Sequence, residues 1–225
     1  MLNLGPFRPF LAAALVAAAL AAGCSPAGTR VSPSPSGLAA GTYSSTAFKP
    51  GLTFTVPAGW ELAADGPGYL ELRPAGSAVI GIHLFRDPAA ASQDASCPET
   101  AEAGVGGTSS ELSAWIRGRP GLVVSNPQLA SIGGLLGVQL DLGIAAGWTP
   151  SCPFASGSPT VPLFVGASGG YRWVVAGNER LRLFLLDVAG GGTVVVDIDA
   201  FDGTLMDGLL AAAAPIVQSF AFSGD

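Results

Sequence analysis

The stretch from 161 to 200 constrains this chain most. It contains four short apolar runs, VPLFVGA (161–167), YRWVVAG (171–177), LRLFLLDVAG (181–190) and TVVVDIDA (193–200), set apart by ASGG, AGNE and AGGG. Runs of this length, rich in Val, Leu and aromatic residues and broken by glycine, read as strands. Breaks this short read as antiparallel hairpins.

The same pattern continues upstream. LTFTVP (52–57), GYLELRP (68–74), SAVIGIHLFR (77–86) and GVQLDLGIA (137–145) alternate or run apolar over strand lengths. Two segments follow helical spacing instead. In TSSELSAWIRGR (108–119), Thr108 and Glu111 have capping-box spacing, Leu112, Trp115 and Ile116 share a face, and Pro120 ends the run. In DGTLMDGLLAAAAPIVQSF (202–220), Leu205, Leu209, Ala213, Ile216, Val217 and Phe220 recur at helical intervals. Asp202 is placed to cap that helix, and Pro215 is placed to kink or shorten it. The expected fold class is therefore α+β: an antiparallel β-sheet with a few packed helices, sandwich-like.

The N-terminus has a different character. Residues 1–10 carry one positive side chain, Arg8, and residues 11–22 read LAAALVAAALAA. That run is shorter than the about 20 residues a membrane-spanning helix needs. It has the length of a signal-peptide core. Leu20-Ala21-Ala22-Gly23-Cys24 resembles the lipobox of bacterial lipoproteins, although Ala21 stands where the usual leucine would be. The resemblance implies cleavage after residue 23 and fatty acylation, palmitate included, of Cys24. Two acyl chains give a stable membrane anchor where one does not. Residues 25–41, SPAGTRVSPSPSGLAAG, read as a flexible linker. The expected organisation is a signal peptide at 1–23, lipidated Cys24 and linker at 24–41, and one α+β domain at 42–225.

The chain has three cysteines. With Cys24 lipidated, Cys97 and Cys152 are free to pair in an oxidising compartment, the alternative being two buried thiols. A bridge between them would close a long loop and contribute roughly 4 kcal/mol in the chain-entropy model.

FTVPAGWEL (54–62) near one end, and a closing helix running into PIVQSFAF (215–222) at the other, resemble PsbP-like domains. These are αβα sandwiches found in a photosystem subunit and in many bacterial lipoproteins of unassigned role. The resemblance covers the two ends and the general strand order. It implies binding or assembly and carries over no functional residues.

Charge narrows the function classes. The formal charge is −6, and loss of Arg8 with the leader makes it −7. Lys49 is the sole lysine. A nucleic-acid partner requires a basic footprint that is missing here. Catalytic patterns fare little better. GASGG (166–170) matches the nucleophile elbow around Ser168, but a strand follows it, and His83, the chain's one histidine, precedes it. His83 is read as a hydrogen-bonded strand histidine, sharing a face with Val79, Gly81 and Phe85. One histidine and two paired cysteines argue against a zinc site.

DIDAFDG groups Asp197, Asp199 and Asp202, the first two on one side of a strand. The expected reading is a solvated strand face running into a helix cap, with cation binding left open. Asp141 and Asp187 also fall within strands, so a carboxylate pair has material to draw on. GVGG (104–107) precedes a helix but lacks the phosphate-loop pattern. Trp60 and Trp115 read as core. Trp148, in AAGWTPSCPF, and Trp173 are the candidate ligand or partner contacts, with Trp148 first.

The sequence thus points to a lipid-anchored extracytoplasmic protein at the cell membrane. It would act as a non-catalytic binding or accessory module for an unidentified small ligand, with no cofactor and no metal. A structural or assembly partner of another envelope protein is the alternative, and a hydrolase using a carboxylate pair is a third reading.

Overall fold

The four runs that dominate the sequence all form strands, but they serve two different sheets. In the computed structural model, which describes residues 28–32, 37–166 and 171–224, the elements run β1 (Thr29–Arg30), β2 (Gly41–Ser44), β3 (Gly51–Val56), β4 (Trp60–Asp65), β5 (Tyr69–Pro74), β6 (Ile80–Arg86), β7 (Pro88–Ala90), α1 (Ser109–Arg117), β8 (Leu122–Val124), β9 (Gln128–Ile132), β10 (Leu135–Ile144), β11 (Thr160–Gly166), β12 (Arg172–Ala176), β13 (Arg180–Asp187), β14 (Thr193–Ala200), α2 (Met206–Gln218) and β15 (Ala221–Ser223). The lipobox around Cys24 and Ser168 lie outside the described residues.

The central sheet is antiparallel, in the order β4-β5-β6-β14-β13-β10-β8, with β9 also pairing β10. One face carries α2 and the small sheet β1-β2-β3-β15. The other carries α1 and the three-stranded sheet β12-β11-β7. β11–β12 and β13–β14 are hairpin pairs as the spacing suggests. Between β12 and β13, however, the short break takes the chain from one layer to another. The α+β class holds, with the sheet covered on both sides.

β14 shows how the layers are specified. Val194, Val196, Ile198 and Ala200 face the α2 side, and Val195 faces the α1 side. Every residue of this strand is buried. α1 begins with a complete capping box between Thr108 and Glu111. Its Ser109 also donates its N–H and hydroxyl to Asp187 at the end of β13, at 2.8 and 2.6 Å, which ties the helix to the sheet. Asp202 caps a short 3-10 turn (Gly203–Leu205) ahead of α2 by accepting from Thr204. α2 continues three residues past Pro215.

The boundary expected at residue 42 moves back. Leu38 is buried, and its N–H donates to the Trp60 carbonyl at 2.6 Å. β1 pairs in parallel with β2. Part of the stretch read as linker therefore contacts the domain.

Cys97 and Cys152 form a disulfide, with Cα atoms 5.6 Å apart and 55 residues of separation. Closing a loop of that length in the unfolded chain gives the bridge a stabilisation of about 4 kcal/mol. The double substitution Cys97→Ser/Cys152→Ser is expected to lower the urea midpoint by an amount equivalent to about 2–4 kcal/mol. Equilibrium unfolding followed by tryptophan fluorescence measures this.

Candidate functional site

A row of polar side chains crosses three adjacent strands of the central sheet. Strand register places Glu71 of β5 opposite His83 of β6, and His83 opposite Asp197 of β14. Asp199 follows two residues on, so its side chain joins the same face. The solvated face expected for Asp197 and Asp199 is corrected here. Asp197 is 0 % exposed and Asp199 7 %. The reason is tertiary: the β12-β11-β7 layer lies over this part of the sheet. Asp202 does not join them, being occupied at the cap of the 3-10 turn.

The layer's contribution is Trp173 on β12. Its indole Nε1 donates to Asp197 Oδ2 at 2.7 Å, and its ring centroid lies 4.6 Å from that of His83. Glu179 reaches the same place from the turn joining β12 to β13. That turn uses Gly177 at φ 56°, a conformation glycine adopts freely. It folds Glu179 back so that its Oε2 accepts the Ala176 N–H at 2.8 Å. The Glu179 carboxyl is also within hydrogen-bonding reach of Asp199.

His83 links the carboxyls to β5. Its Nε2 lies 2.9 Å from Asp199 Oδ1 and its Nδ1 2.8 Å from the Tyr69 hydroxyl. His83 donates from Nε2 to Asp199, and the Tyr69 hydroxyl, which also lies 3.2 Å from Glu71 Oε2, has one hydrogen for Glu71 and Nδ1 to share. Gly81 makes room for this. A Cβ there would stand 2.8 Å from His83 Nε2. Glu71 is held by Arg73, whose Nη1 lies 3.0 Å from Glu71 Oε1, and Arg73 also binds buried Glu61 at 2.6 Å.

Together these groups wall a cleft of about 290 Å³, lined by Glu71, His83, Trp173, Glu179 and Asp199, with Val79 and Phe201 at its exposed rim. The electrostatics follow from burial. Desolvation, and next the charge of Asp199, push the Glu179 carboxyl up to about 8. Burial raises Asp197 well above the ordinary carboxylate range, with Asp199 and Glu179 adding to the shift and the Trp173 hydrogen bond opposing it. Burial and then Glu71 raise the Tyr69 hydroxyl. At neutral pH Glu179 in the cleft wall therefore keeps a proton, as does Asp197 buried nearby. Among the described residues, no three His, Cys, Asp or Glu side chains are arranged to hold a metal ion.

The two candidate tryptophans line different cavities. Trp148 borders one of about 360 Å³ beside the disulfide. Its Nε1 donates to the Thr160 carbonyl at 3.0 Å, and a Cβ on Gly121 would lie 2.5 Å from its ring. It packs there as a support of the β11 strand. Asp141 and Asp187 are engaged elsewhere, with Arg182 and with α1. Glu179 went unnoticed in the sequence because a glutamate in a glycine-containing turn is indistinguishable from a solvated one. Tyr69 and Glu71 shared a legible strand face, but their link to His83 needed the strand order.

No family model matches this chain, and no curated protein matches it. Among solved structures, it is similar to a protein of Bacteroides thetaiotaomicron, with 11% identity and a TM-score of 0.34 over 77% of this chain. The chain covers 46% of that protein, less than half its length. It is also similar to the cyanobacterial PsbP of Synechocystis, with 12% identity and a TM-score of 0.39 over 86% of this chain and 98% of that one. Both likenesses are remote.

Two outcomes are expected from the cluster. The folded protein retains a proton on Glu179 that the unfolded chain releases above its ordinary value of 4.5. Stability should therefore fall as pH rises from 4.5 to about 8 and level off beyond. Glu179→Gln should flatten this slope and raise stability at pH 8, as read from urea midpoints across pH. Gly81→Ala should displace the imidazole and cost about 1–3 kcal/mol. Because His83 is the only histidine in the chain, its ¹⁵N resonances report the lost Asp199 contact without assignment.

Proposed function

We propose that this chain is an extracytoplasmic lipoprotein anchored through Cys24, and that its globular part is a non-catalytic binding or accessory module. The cleft beneath Trp173 is its ligand site. The observation that carries this reading is the cleft itself: buried carboxyls, one imidazole and one indole converge on a small concave space. Such convergence of polar groups and perturbed carboxyls in a pocket is characteristic of binding sites. It is also a costly way to build a core, because a buried carboxyl destabilises the fold unless it is paired or protonated. Structural packing alone would be served as well by Leu or Val at 197 and 199.

The anchor is supported by residues 11–24, with their apolar run, small residues and cysteine. Among the described residues, no helix is long and apolar enough to cross a membrane. A lipid on Cys24 would hold the domain at the surface without one.

A second reading has a specific observation behind it. Glu179 and Asp199 meet in the cleft with Glu179 raised, an arrangement suited to general acid–base hydrolysis. Their contact is too close for the two carboxyls of a glycosidase, which stand about 5 Å or more apart. The pair would instead share one proton and activate a water.

Two experiments separate these readings. Native mass spectrometry of the full-length protein should show a bound small molecule that denaturation releases and Trp173→Ala loses. A hydrolase would instead turn over that molecule and lose turnover in Glu179→Gln. A clean apo monomer that crosslinks to a neighbour in cells would overturn the binding module in favour of an assembly role. Cys24→Ala should move the protein from the membrane fraction to the soluble one and abolish palmitate labelling.

A further inference from the structure

The imbalance of charge around the cleft bears on what enters it. The acidic side chains lining it are Glu71 from β5, Asp199 from β14 and Glu179 from the β12–β13 turn, with Asp197 of β14 fully buried nearby. Facing them are Tyr69, His83 of β6 and Arg172 of β12. Arg73 already neutralises Glu71 and Glu61. Arg172 is turned to other partners. Its Nη1 donates to the Cys97 carbonyl at 2.5 Å, and its guanidinium lies 4.1 Å from the centre of the Phe154 ring. His83 remains as the basic group among these carboxyls, bonded to Asp199.

A further carboxyl lies buried next to the cleft without lining it, and burial raises it so that it keeps its proton. Asp197 Oδ1 is completely buried and has no hydrogen-bond partner, although Oδ2 of the same carboxyl is well bonded to Trp173. A buried carboxylate oxygen without a donor is rare in folded proteins and marks a missing proton, water or ligand. The walls add an aromatic component. Trp173 and His83 present rings to the cleft, and Val79 and Phe201 form an exposed apolar rim, 48 % and 58 % accessible. Carboxyls at the base, aromatic faces on the wall and apolar side chains at the mouth suit a charge carried on a short apolar body.

We propose that the cleft takes a small organic cation, an alkylammonium whose apolar part lies on Trp173, Val79 and Phe201 and whose charge is met by Asp199 and Glu179. This deepens the binding reading above and rests on it. Entry of the cation replaces the proton held by Glu179, so binding releases a proton. Affinity therefore rises with pH by up to about tenfold per unit below the Glu179 value and flattens above it. The volume of about 290 Å³ has room for roughly ten water-sized groups, ample for a nitrogen with a short alkyl chain.

The test is isothermal titration calorimetry on the full-length protein in detergent, with n-butylammonium as probe and butyrate as anionic control. Runs at pH 6 and pH 8.5, in two buffers of different ionisation enthalpy, count the protons released. Expected are binding of butylammonium alone, at least tenfold tighter binding at the higher pH (~1.4 kcal/mol), and about one proton released per ligand bound at pH 6, falling to roughly a quarter at pH 8.5. Glu179→Gln, which preserves shape, should remove the pH dependence, and Asp199→Asn should abolish binding. Asp141→Asn, outside the cleft, should change neither. Equal binding of butyrate, binding unaffected by Asp199→Asn, or no butylammonium binding at any pH would each overturn the proposal. If butylammonium fails while native mass spectrometry still shows a ligand lost in Trp173→Ala, the cation assignment falls and the binding site stands. If neither is seen, both fall.

Discussion

The hydrogen bond from the Trp173 indole to Asp197 is the contact on which the two layers agree. β14 lies at the centre of the main sheet, and a carboxyl there loses all its water on folding. An isolated carboxylate in that position would cost several kcal/mol. The indole donor and retention of a proton offset that cost. The pairing also fixes the depth and lateral position at which the β11–β12 hairpin can sit, because a hairpin displaced by one residue would present Val174 and not an N–H. Nonpolar packing between the layers gives cohesion, and this polar contact gives register.

From that registration the remaining geometry follows. With β12 fixed over β14, the turn at Gly177 has a single short path to β13, and Glu179 is carried into the space beside Asp199. His83 is aligned from the other side by strand pairing and by the missing side chain at Gly81. The resulting chain of contacts, from Tyr69 through His83 and Asp199 to Glu179, is continuous. Each member is oriented by its neighbours and by backbone groups.

Much of the architecture was legible because local patterns agreed with the tertiary outcome. β5, β6, β10 and β11 through β14 followed from alternation and glycine breaks, and α1 from its cap and apolar face. The short strands β7, β8 and β15 were not legible, since three residues carry too little pattern. The site was legible only as fragments. Asp197, Asp199, His83 and Trp173 each drew notice, but TVVVDIDA alternates as a strand with one wet face does. What dries that face is a layer formed by residues well before it in the chain, from 88–90, 160–166 and 172–176, and sequence periodicity contains no term for such a cover. Trp148 attracted attention for being aromatic in a loop, yet its indole is consumed in supporting β11.

The covering hairpin is held at two distant points. Near its start, Cys152 is bonded covalently to Cys97 and donates its backbone N–H to Thr160 at the head of β11. At its end, the Glu179 side chain clasps the backbone of Ala176. Between these clamps, Trp173 and Glu179 stand on one short segment of chain. Glu179 directly precedes β13, whose Leu181 pairs with Asp199, so this segment spans from the covering layer to the sheet beneath. The indole that roofs the cleft and the carboxyl that charges it are set by one short stretch of chain.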